Sequence, residues 1–357
     1  MKKSKYIVLF SSLILLLGTQ VSCSDSYLEE KPMDKFSPAH LLTSKKGFET
    51  VIYSLHNFAR SGLFQSNNED VMNTGTDVAC SGVTDGRFFN DYSLILPEHA
   101  TPKFYWNWAY QKMLKDANLV ITRAENPNVS WTEDEKNAIV AEAKFFRAYT
   151  YNILVNLFGG VPIVDKEELS PRFDYTRASR KEVLEFIQKD LEFAAQYLPI
   201  VTSEASQDGR IFRAAANHLL SEVYISLGQE TGDLSFYDKS IAAATVVING
   251  SCGEYSLVKS RFGDTSRPGD YYSDLFWTNQ QNRASGNKEG IWVIQFEYLT
   301  PGAEEANNAQ LRLWGPKIED VTYPDGKKIL VCDTIGRMQG IIRPLNHPNY
   351  GICDDPN

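Results

Sequence analysis

The sequence predicts a mainly α-helical protein built from antiparallel helical repeats, with a loop-rich cap that contains short β-strands. Apolar residues recur at steps of three and four positions through residues 44–250, which is the spacing of one helix face. Gly and Pro residues interrupt this period at intervals typical of helix ends. After residue 250 the helical period is lost, and short β-prone runs with turn residues replace it.

The amino terminus, residues 1–22, has the features of a bacterial lipoprotein signal peptide. Lysines precede an apolar run, Tyr6–Leu17, that is too short to span a bilayer. Cys23 follows the small residue Ser22, where such a signal is cut, so we expect Cys23 to be lipidated. Residues 23–43 would then form a lipidated tether. An ordinary signal peptide that happens to end near a cysteine is the alternative.

The composition is that of a globular, acidic protein. Of 357 residues, 43% are hydrophobic and 23% are charged, and the formal net charge is −9. Loss of residues 1–22, which hold three lysines and no acid, would make the charge −12. Such a protein is a poor partner for nucleic acid or anionic lipid headgroups, so membrane attachment would come from acyl chains.

Two helices are predicted before residue 128, separated by a long loop. The first begins near Thr43 or Ser44 and ends near Gly62, and the second ends at Pro127. Between them, residues 62–104 lack a helical period and are rich in Asn, Gly and Pro, which is typical of a functional loop. The apolar residues that define the helices are Phe48, Ile52, Leu55 and Ala59, then Trp106, Tyr110, Met113, Ala117, Val120 and Ala124.

The centre of the predicted core is a pair of helices within Thr132–Leu198. Two capping boxes mark where they begin, because Ser or Thr at each start is followed three residues later by Glu. The first helix is apolar over so wide an arc that it must be buried on two sides, and Gly159, Gly160 and Pro162 end it. The stripes are Ile139, Ala143, Phe146, Thr150, Ile153 and Leu157 in the first helix, and Val183, Ile187, Leu191, Ala194 and Leu198 in the second.

Two further helices and a cap complete the predicted fold. One helix carries Phe212, Ala216, Leu219, Val223 and Leu227 and ends at Gly228; the other carries Tyr237, Ile241, Ala244 and Ile248 and ends at Asn249 and Gly250. This succession resembles the tetratricopeptide architecture, without a strict period of about 34 residues, so we predict one helical-repeat core at 44–250.

In the cap, residues 251–357, we predict a strand at 291–298 and a hairpin turn at 323–326.

The cysteines beyond the signal peptide do not suggest a metal site. Cys80, Cys252, Cys332 and Cys353 are far apart, with no C-x-x-C pair and no His at zinc-ligand spacing. Export would permit disulfides, and four cysteines allow three pairings. We favour free or partly buried thiols, since a chain of this size can be stable without disulfides.

A series of motifs follows one another along the chain in a particular order. They are the lipidated Cys23 and its tether, the helix around Ala141–Ala148, the turn Phe158–Pro162, Arg177–Arg180, Asp190-Leu191 through Leu198-Pro199, Gly209-Arg210, Gly336-Arg337 and Arg343-Pro344. Their order and spacing over nearly the whole chain resemble the SusD/RagB family, the surface glycan-binding outer-membrane lipoproteins of Bacteroidetes.

The resemblance implies a SusD-like fold and binding without catalysis. We also expect no metal and no cofactor. The protein would capture an oligosaccharide, or another large nutrient, and deliver it to a TonB-dependent outer-membrane barrel transporter. It would be lipid-anchored at the cell surface and would not bind nucleic acid. Family members continue beyond the end of this sequence, so we expect the chain to lack the family's C-terminal part and to be less stable than a complete member.

Sugar binding needs flat aromatic faces and polar groups that pair with hydroxyls. The candidate residues are Asp77, Arg87, Trp106 and Asn107 near the long loop, and Trp277, Tyr298 and Trp314 in the cap. Asp77 and Arg87 are assigned only by region, because the family commonly places polar ligand contacts there. Core packing with Tyr110 is an equal alternative for Trp106.

Two other function classes are alternatives. A glycoside hydrolase would use paired carboxylates, but 45 acids make adjacent pairs expected by chance, and neither H-E-x-x-H nor G-x-S-x-G is present. A helical-repeat scaffold that binds a protein is compatible with the first function, since the transporter would be such a partner.

Overall fold

A computed structural model describes residues 41–64, 74, 76, 79–81, 96–201, 209–277, 279–296, 313, 322–327 and 342–344. The chain separates into two compact units, Met1–Thr43 and Ser44–Asn357. All elements named below belong to the second unit. Over the described ranges the protein is mainly helical, as predicted.

The core helices follow the predicted order. They are α1 (Lys45–Ala59), α2 (Ala100–Trp108), α3 (Leu114–Arg123), α4 (Glu133–Phe158), α5 (Arg180–Tyr197), α6 (Arg213–Thr231) and α7 (Ser235–Ile248). Wider π-helical turns extend α1 through Arg60–Phe64 and join α2 to α3 through Ala109–Met113. The remaining elements are a short α8 (Tyr271–Asp274), a 3-10 turn (Arg283–Ser285), and β1 (Ala79–Ser81) paired antiparallel with β2 (Ile342–Pro344).

The predicted start signals of the central helices are confirmed. Thr132 with Glu135 forms the capping box of α4, and Ser179 with Glu182 forms that of α5. Each hydroxyl accepts from the backbone N–H three residues on, and each carboxylate accepts from the N–H of the cap residue. Four polar groups that a helix start leaves unpaired are thereby satisfied.

The helices stack in chain order. α1 packs on α3 and α4, α4 packs on α3 and α5, α5 packs on α6, and α6 packs on α7. The predicted stripe of α5 is fully buried, as is that of α4 apart from the half-buried Leu157. α4 therefore has neighbours on two sides, as the width of its apolar arc predicts.

The predicted loop at 62–104 is shorter than expected at its carboxyl end. α2 begins at Ala100, where His99 caps it by accepting from Thr101 N–H at 3.2 Å. Pro102 lies in the first turn, where its missing N–H breaks no helical hydrogen bond. The sequence predicts a later start because Pro in a helix interior breaks the helix.

Two predictions about the last repeat were wrong. α6 does not end at Gly228 but continues to Thr231, and Gly232 caps it in the left-handed conformation with φ +73°. Gly228 serves packing instead, because a Cβ there would lie 2.9 Å from the Tyr237 ring. The apolar stripe of α7 is also rotated: Ala243 and Val247 face α6, whereas Ile241 and Ile248 are 65% and 79% exposed.

A buried arginine joins three helices. Arg147 of α4 binds both carboxylate oxygens of Asp190 on α5, at 2.6 and 2.9 Å. Its third nitrogen donates to Asn118 Oδ1 on α3 and to the Asp165 carbonyl, each at 2.7 Å. Lys144 completes the pairing of Asp190 at 2.7 Å. Every strong polar group at this centre is therefore satisfied, as burial requires.

A second buried carboxylate, Glu142 of α4, ties α1 to the segment before α6. It accepts from Nε and Nη2 of Arg210 and lies 2.7 Å from His56 Nε2. Burial alone would raise the pKa of Glu142, but the hydrogen bonds from His56 and Arg210 outweigh burial and lower it below the usual 4.5. Glu142 is therefore ionised in the folded protein.

We expect Glu142→Gln to destabilise the protein by about 3 kcal/mol near neutral pH, because Arg210 loses its charge partner inside the fold. A lowered folded-state pKa stabilises the protein above the unfolded pKa, and this contribution is lost as pH falls through the folded value. The deficit of the variant should therefore shrink below the usual pKa of 4.5. Urea unfolding at a series of pH values measures it.

Glu185→Gln is the matched control, because Glu185 lies in an exposed pair with Lys181 at 3.5 Å. Such a pair contributes only about 0.3–0.5 kcal/mol. Equal deficits for the two variants, or a deficit that does not change with pH, would contradict the assignment of Glu142.

Candidate functional site

A cleft of about 470 Å³ lies beside α2, within the usual volume range of small-ligand pockets. It brings together two residues of the sequence prediction, Trp106 and Asn107. It also adds two that were not predicted, Lys103 and Phe158. The described lining residues are Leu96, Pro97, Pro102, Lys103, Trp106, Asn107 and Phe158.

The aromatic wall of the cleft is formed by Trp106 and Phe158. The ring of Phe158 stands edge-on to Trp106, with centroids 5.5 Å apart at 84°. Tyr110 lies against Trp106 from the next helical turn, at 5.0 Å. Trp106 nevertheless remains 39% exposed. The ring is thus supported by its neighbours and still presents surface to a ligand.

α2 presents this face because of its residue spacing. Lys103, Trp106 and Asn107 are three and four positions apart, so they are neighbours on one side of the helix. Tyr105 and Trp108 fall on the other side and are buried. The helix is anchored through that buried side, which leaves the cleft side open.

Phe158 is held by the turn that ends α4. Gly159 has φ +70°, and Gly160 lies so close to the next segment that a Cβ would be 2.0 Å from the Ala178 carbonyl oxygen. The guanidinium of Arg177 donates to the carbonyl oxygens of Phe158 and Gly160. Arg177 thereby satisfies carbonyls that the helix end leaves unpaired.

Tyr110 connects the turn to the other wall. Its hydroxyl donates to the Pro162 carbonyl at 2.6 Å, while its ring lies against Trp106. Burial raises the pKa of Tyr110, so the hydroxyl stays protonated and remains a donor. Trp106, through Tyr110, and Phe158 are therefore both connected to the same short segment, residues 158–162.

The cap places its aromatic residues differently from the sequence prediction. Trp277 is half-buried, does not line the cleft and has the Arg267 guanidinium 5.2 Å from its ring. Residues 291–296 form no strand; instead Trp292 packs edge-on against Phe145 and Phe146 of α4. Trp292 thus covers part of α4 from the cap.

Five predicted residues, Cys23, Asp77, Arg87, Tyr298 and Trp314, lie outside the described residues.

A second cleft, of about 550 Å³, follows one face of α1. Its described lining is Lys45, Lys46, Glu49, Thr50 and Tyr53. The Tyr53 ring already has the Arg210 guanidinium 5.2 Å from its centroid, and Lys45 is paired with Glu135 at 2.8 Å. Tyr53 and Lys45 are therefore engaged within the protein, and Tyr53 is the one aromatic residue among the described lining of this cleft.

Other kinds of site find little support in the described part of the chain. There, no group of three or more His, Cys, Asp or Glu side chains could hold a metal ion. None of the helices described is both long and apolar enough to cross a bilayer. Cys252 is a buried free thiol whose pKa is raised by burial, so it is not a reactive nucleophile.

Sequence reasoning missed Phe158 and Lys103 for different reasons. Phe158 was assigned only to the helix end, although an aromatic residue just before Gly-Gly is well placed to be exposed. The sequence predicts a loop at Lys103, and its spacing from Trp106 becomes meaningful only because the helix begins at Ala100.

Comparison with known proteins identifies the family. Residues 26–225 match a SusD-like family profile described as starch-binding and associating with the outer membrane. SusD-like protein P2 of Formosa agariphila is 27% identical over 305 residues, which cover 82% of this chain and 53% of that protein. A SusD-like protein of Bacteroides ovatus is 28% identical over 229 residues, or 63% and 39% of the two chains. The chain thus spans about half the length of the curated relatives it matches.

Solved structures agree in fold. A SusD homolog from Bacteroides thetaiotaomicron superposes with a TM-score of 0.69 at 18% identity, over 90% of this chain and 58% of that one. A laminarin-binding SusD-like protein gives 0.63 at 21% identity, over 87% and 64%. The tetratricopeptide-like helical core predicted from the sequence is confirmed by this likeness. Since the family profile covers more than half of its length, the chain belongs to the SusD-like family.

Proposed function

We propose that the protein binds oligosaccharides at the cell surface through the cleft beside α2 and leaves them chemically unchanged. The observation that carries the proposal is the Trp106 ring, partly exposed and braced by Phe158 and Tyr110, with the Asn107 amide beside it. A pyranose ring has an apolar face that lies on an aromatic ring and hydroxyls that pair with an amide.

The names of relatives support the same ligand class. The family profile is described as starch-binding, one structural neighbour as laminarin-binding, and another as solved with a xylogluco-oligosaccharide. These are different glucans, so the relatives support a class of ligand and leave the particular glycan to experiment.

The arrangement of carboxylates favours binding over hydrolysis. A glycosidase needs two carboxyl groups flanking the scissile bond. The buried carboxylates of the described residues, Glu142, Asp190 and Asp274, each lie against an arginine, and none lines the cleft. Incubation of the purified protein with its ligand should therefore release no shorter products.

We further propose a lipid anchor at Cys23 and delivery of the glycan to a TonB-dependent barrel transporter. The family description places its members at the outer membrane, which supports this location. The signal-like segment before Cys23 supports a lipid rather than a protein anchor.

Trp106→Ala should weaken binding of the tightest oligosaccharide from a glycan array by about tenfold, equivalent to about 1.4 kcal/mol, because the stacking surface is lost. Titration calorimetry measures it, with circular dichroism to confirm the fold. Trp106→Phe should retain most of the affinity.

Trp277→Ala is the control, because Trp277 is the predicted cap residue that the cleft does not include. If Trp277→Ala removes binding and Trp106→Ala does not, the ligand site lies in the cap and the cleft is wrongly assigned.

Arg177→Ala should lower affinity about three- to tenfold, because Phe158 is no longer held edge-on to Trp106 once its carbonyl loses a charged donor. Arg177→Lys should restore part of the loss. Calorimetry gives the affinity, and near-ultraviolet circular dichroism reports the Trp106 environment.

Arg172→Ala is its matched control: Arg172 lies in the same connection but pairs with Asp174 at 2.9 Å and Glu168 at 3.2 Å. Equal effects of the two substitutions would show that the connection acts as a whole and that Arg177 has no special role.

Membrane fractions of producing cells test the anchor and the transporter together. The wild-type protein should sediment with the outer membrane and carry a barrel protein through detergent purification. Cys23→Ala should release the protein into the soluble fraction. Acyl labelling of the variant, or purification of the wild type without any barrel, would contradict the respective half of this proposal.

A further inference from the structure

The cleft beside α2 carries a positive charge on an acidic protein. Lys103 is the one ionisable side chain among its described lining residues, which otherwise comprise the Asn107 amide and apolar groups. The chain as a whole holds 45 acids against 36 bases. A neutral sugar would not need a positively charged side chain in a cleft that is otherwise largely apolar.

The ammonium of Lys103 is not used within the described part of the protein. Lys45 and Lys144 lie 2.8 and 2.7 Å from Glu135 and Asp190, whereas Lys103 has no carboxylate at such a distance among the residues described. Arg177, the other cation near the cleft, is engaged by the Phe158 and Gly160 carbonyls. Lys103 is therefore the cation available to a ligand.

Lys103 also does not serve the helix that carries it. It lies in the first turn of α2, where the helix dipole is positive and a lysine is unfavourable. That turn contains no acidic residue to offset the Lys103 ammonium and the positive end of the helix dipole. An anion beside Lys103 would be stabilised by both the ammonium and the helix end.

We propose, resting on the oligosaccharide-binding function above, that the cleft selects sugars bearing an anionic group, the carboxylate of a uronic acid or a sulfate ester. Trp106 receives the apolar ring face, Asn107 pairs with a hydroxyl, and Lys103 binds the anion. Because Lys103 and Trp106 are one helical turn apart, their Cβ atoms are about 5–6 Å from each other, which suits a ring and its charged substituent.

The test compares three oligosaccharides of equal length, one neutral, one of uronic acids and one sulfated, by titration calorimetry on the purified chain. At least one anionic sugar should bind more tightly than the neutral one. Lys103→Met, which keeps the stem of this exposed side chain, should weaken that sugar about three- to tenfold and the neutral sugar by much less, so that the preference for the anionic sugar falls. The stronger of the two anionic ligands identifies carboxylate or sulfate as the group recognised.

Two controls test whether the effect of Lys103→Met on the anionic sugar is local to the cleft and whether it is electrostatic. Lys189→Met removes an exposed lysine of α5 that is outside the cleft and should change nothing. Raising the salt concentration from about 0.01 M to about 0.5 M should weaken the anionic sugar and reduce the effect of Lys103→Met.

The outcomes separate this proposal from the function on which it rests. If the neutral sugar binds as tightly as both anionic ones, or if Lys103→Met and Lys189→Met have equal effects, anion selection is overturned while loss of affinity in Trp106→Ala still supports the cleft. If no oligosaccharide binds and Trp106→Ala changes nothing, both proposals fail.

Discussion

The bidentate pair between Arg147 and Asp190 is the interaction on which the rest of the described structure depends. It lies where α3, α4 and α5 meet, and both side chains are almost entirely buried. An arginine can satisfy several acceptors in one plane, and here it also binds Asn118 and the Asp165 carbonyl. The Phe186 ring, 4.8 Å from the guanidinium carbon, covers one face. Loss of Asp190 would leave the Arg147 guanidinium buried without a carboxylate, and loss of Arg147 would leave Asp190 with Lys144 alone. Breaking a buried pair in this way costs more than the intact pair contributes.

The position of the cleft follows from this centre through a chain of contacts. Arg147 fixes the Asp165 carbonyl, Asn118 donates to the Val164 carbonyl at 2.8 Å, and Val164 N–H donates to the Tyr151 hydroxyl at 2.7 Å. Tyr110 then holds the Pro162 carbonyl. The segment after the Gly-Gly turn is thus bound residue by residue to the core. Phe158, at the start of that turn, is tied to the same segment through the Arg177 guanidinium, which donates to the Phe158 and Gly160 carbonyls.

The parts of the fold that local sequence rules determine were predictable. Capping boxes, the stripes of α4 and α5, and the Gly159 helix end depend on residues a few positions apart, and all are found in the structure. The errors occur where tertiary contacts decide. α7 has α6 on one side, so a face one residue away from its most apolar stripe is buried. The π-helical turn at Ala109–Met113 adds a residue to the helical turn, which explains why Trp106 is exposed while Met113 on the same predicted stripe is buried.

The candidate site could be predicted only in part for the same reason. Trp106 and Asn107 are of residue types that can contact a sugar, so they could be chosen as candidates from the sequence alone. Phe158 joins them from a position more than fifty residues away, and only the packing of α4 against the α2–α3 segment brings it there. The structure therefore separates two uses of charge. Cations at the helix junctions are neutralised by buried carboxylates and hold the fold, whereas the cation beside the aromatic wall has no such partner among the described residues. Lys103 contributes no ion pair to the described fold, and its place in an apolar cleft beside Trp106 is what separates it from the buried cations of the core.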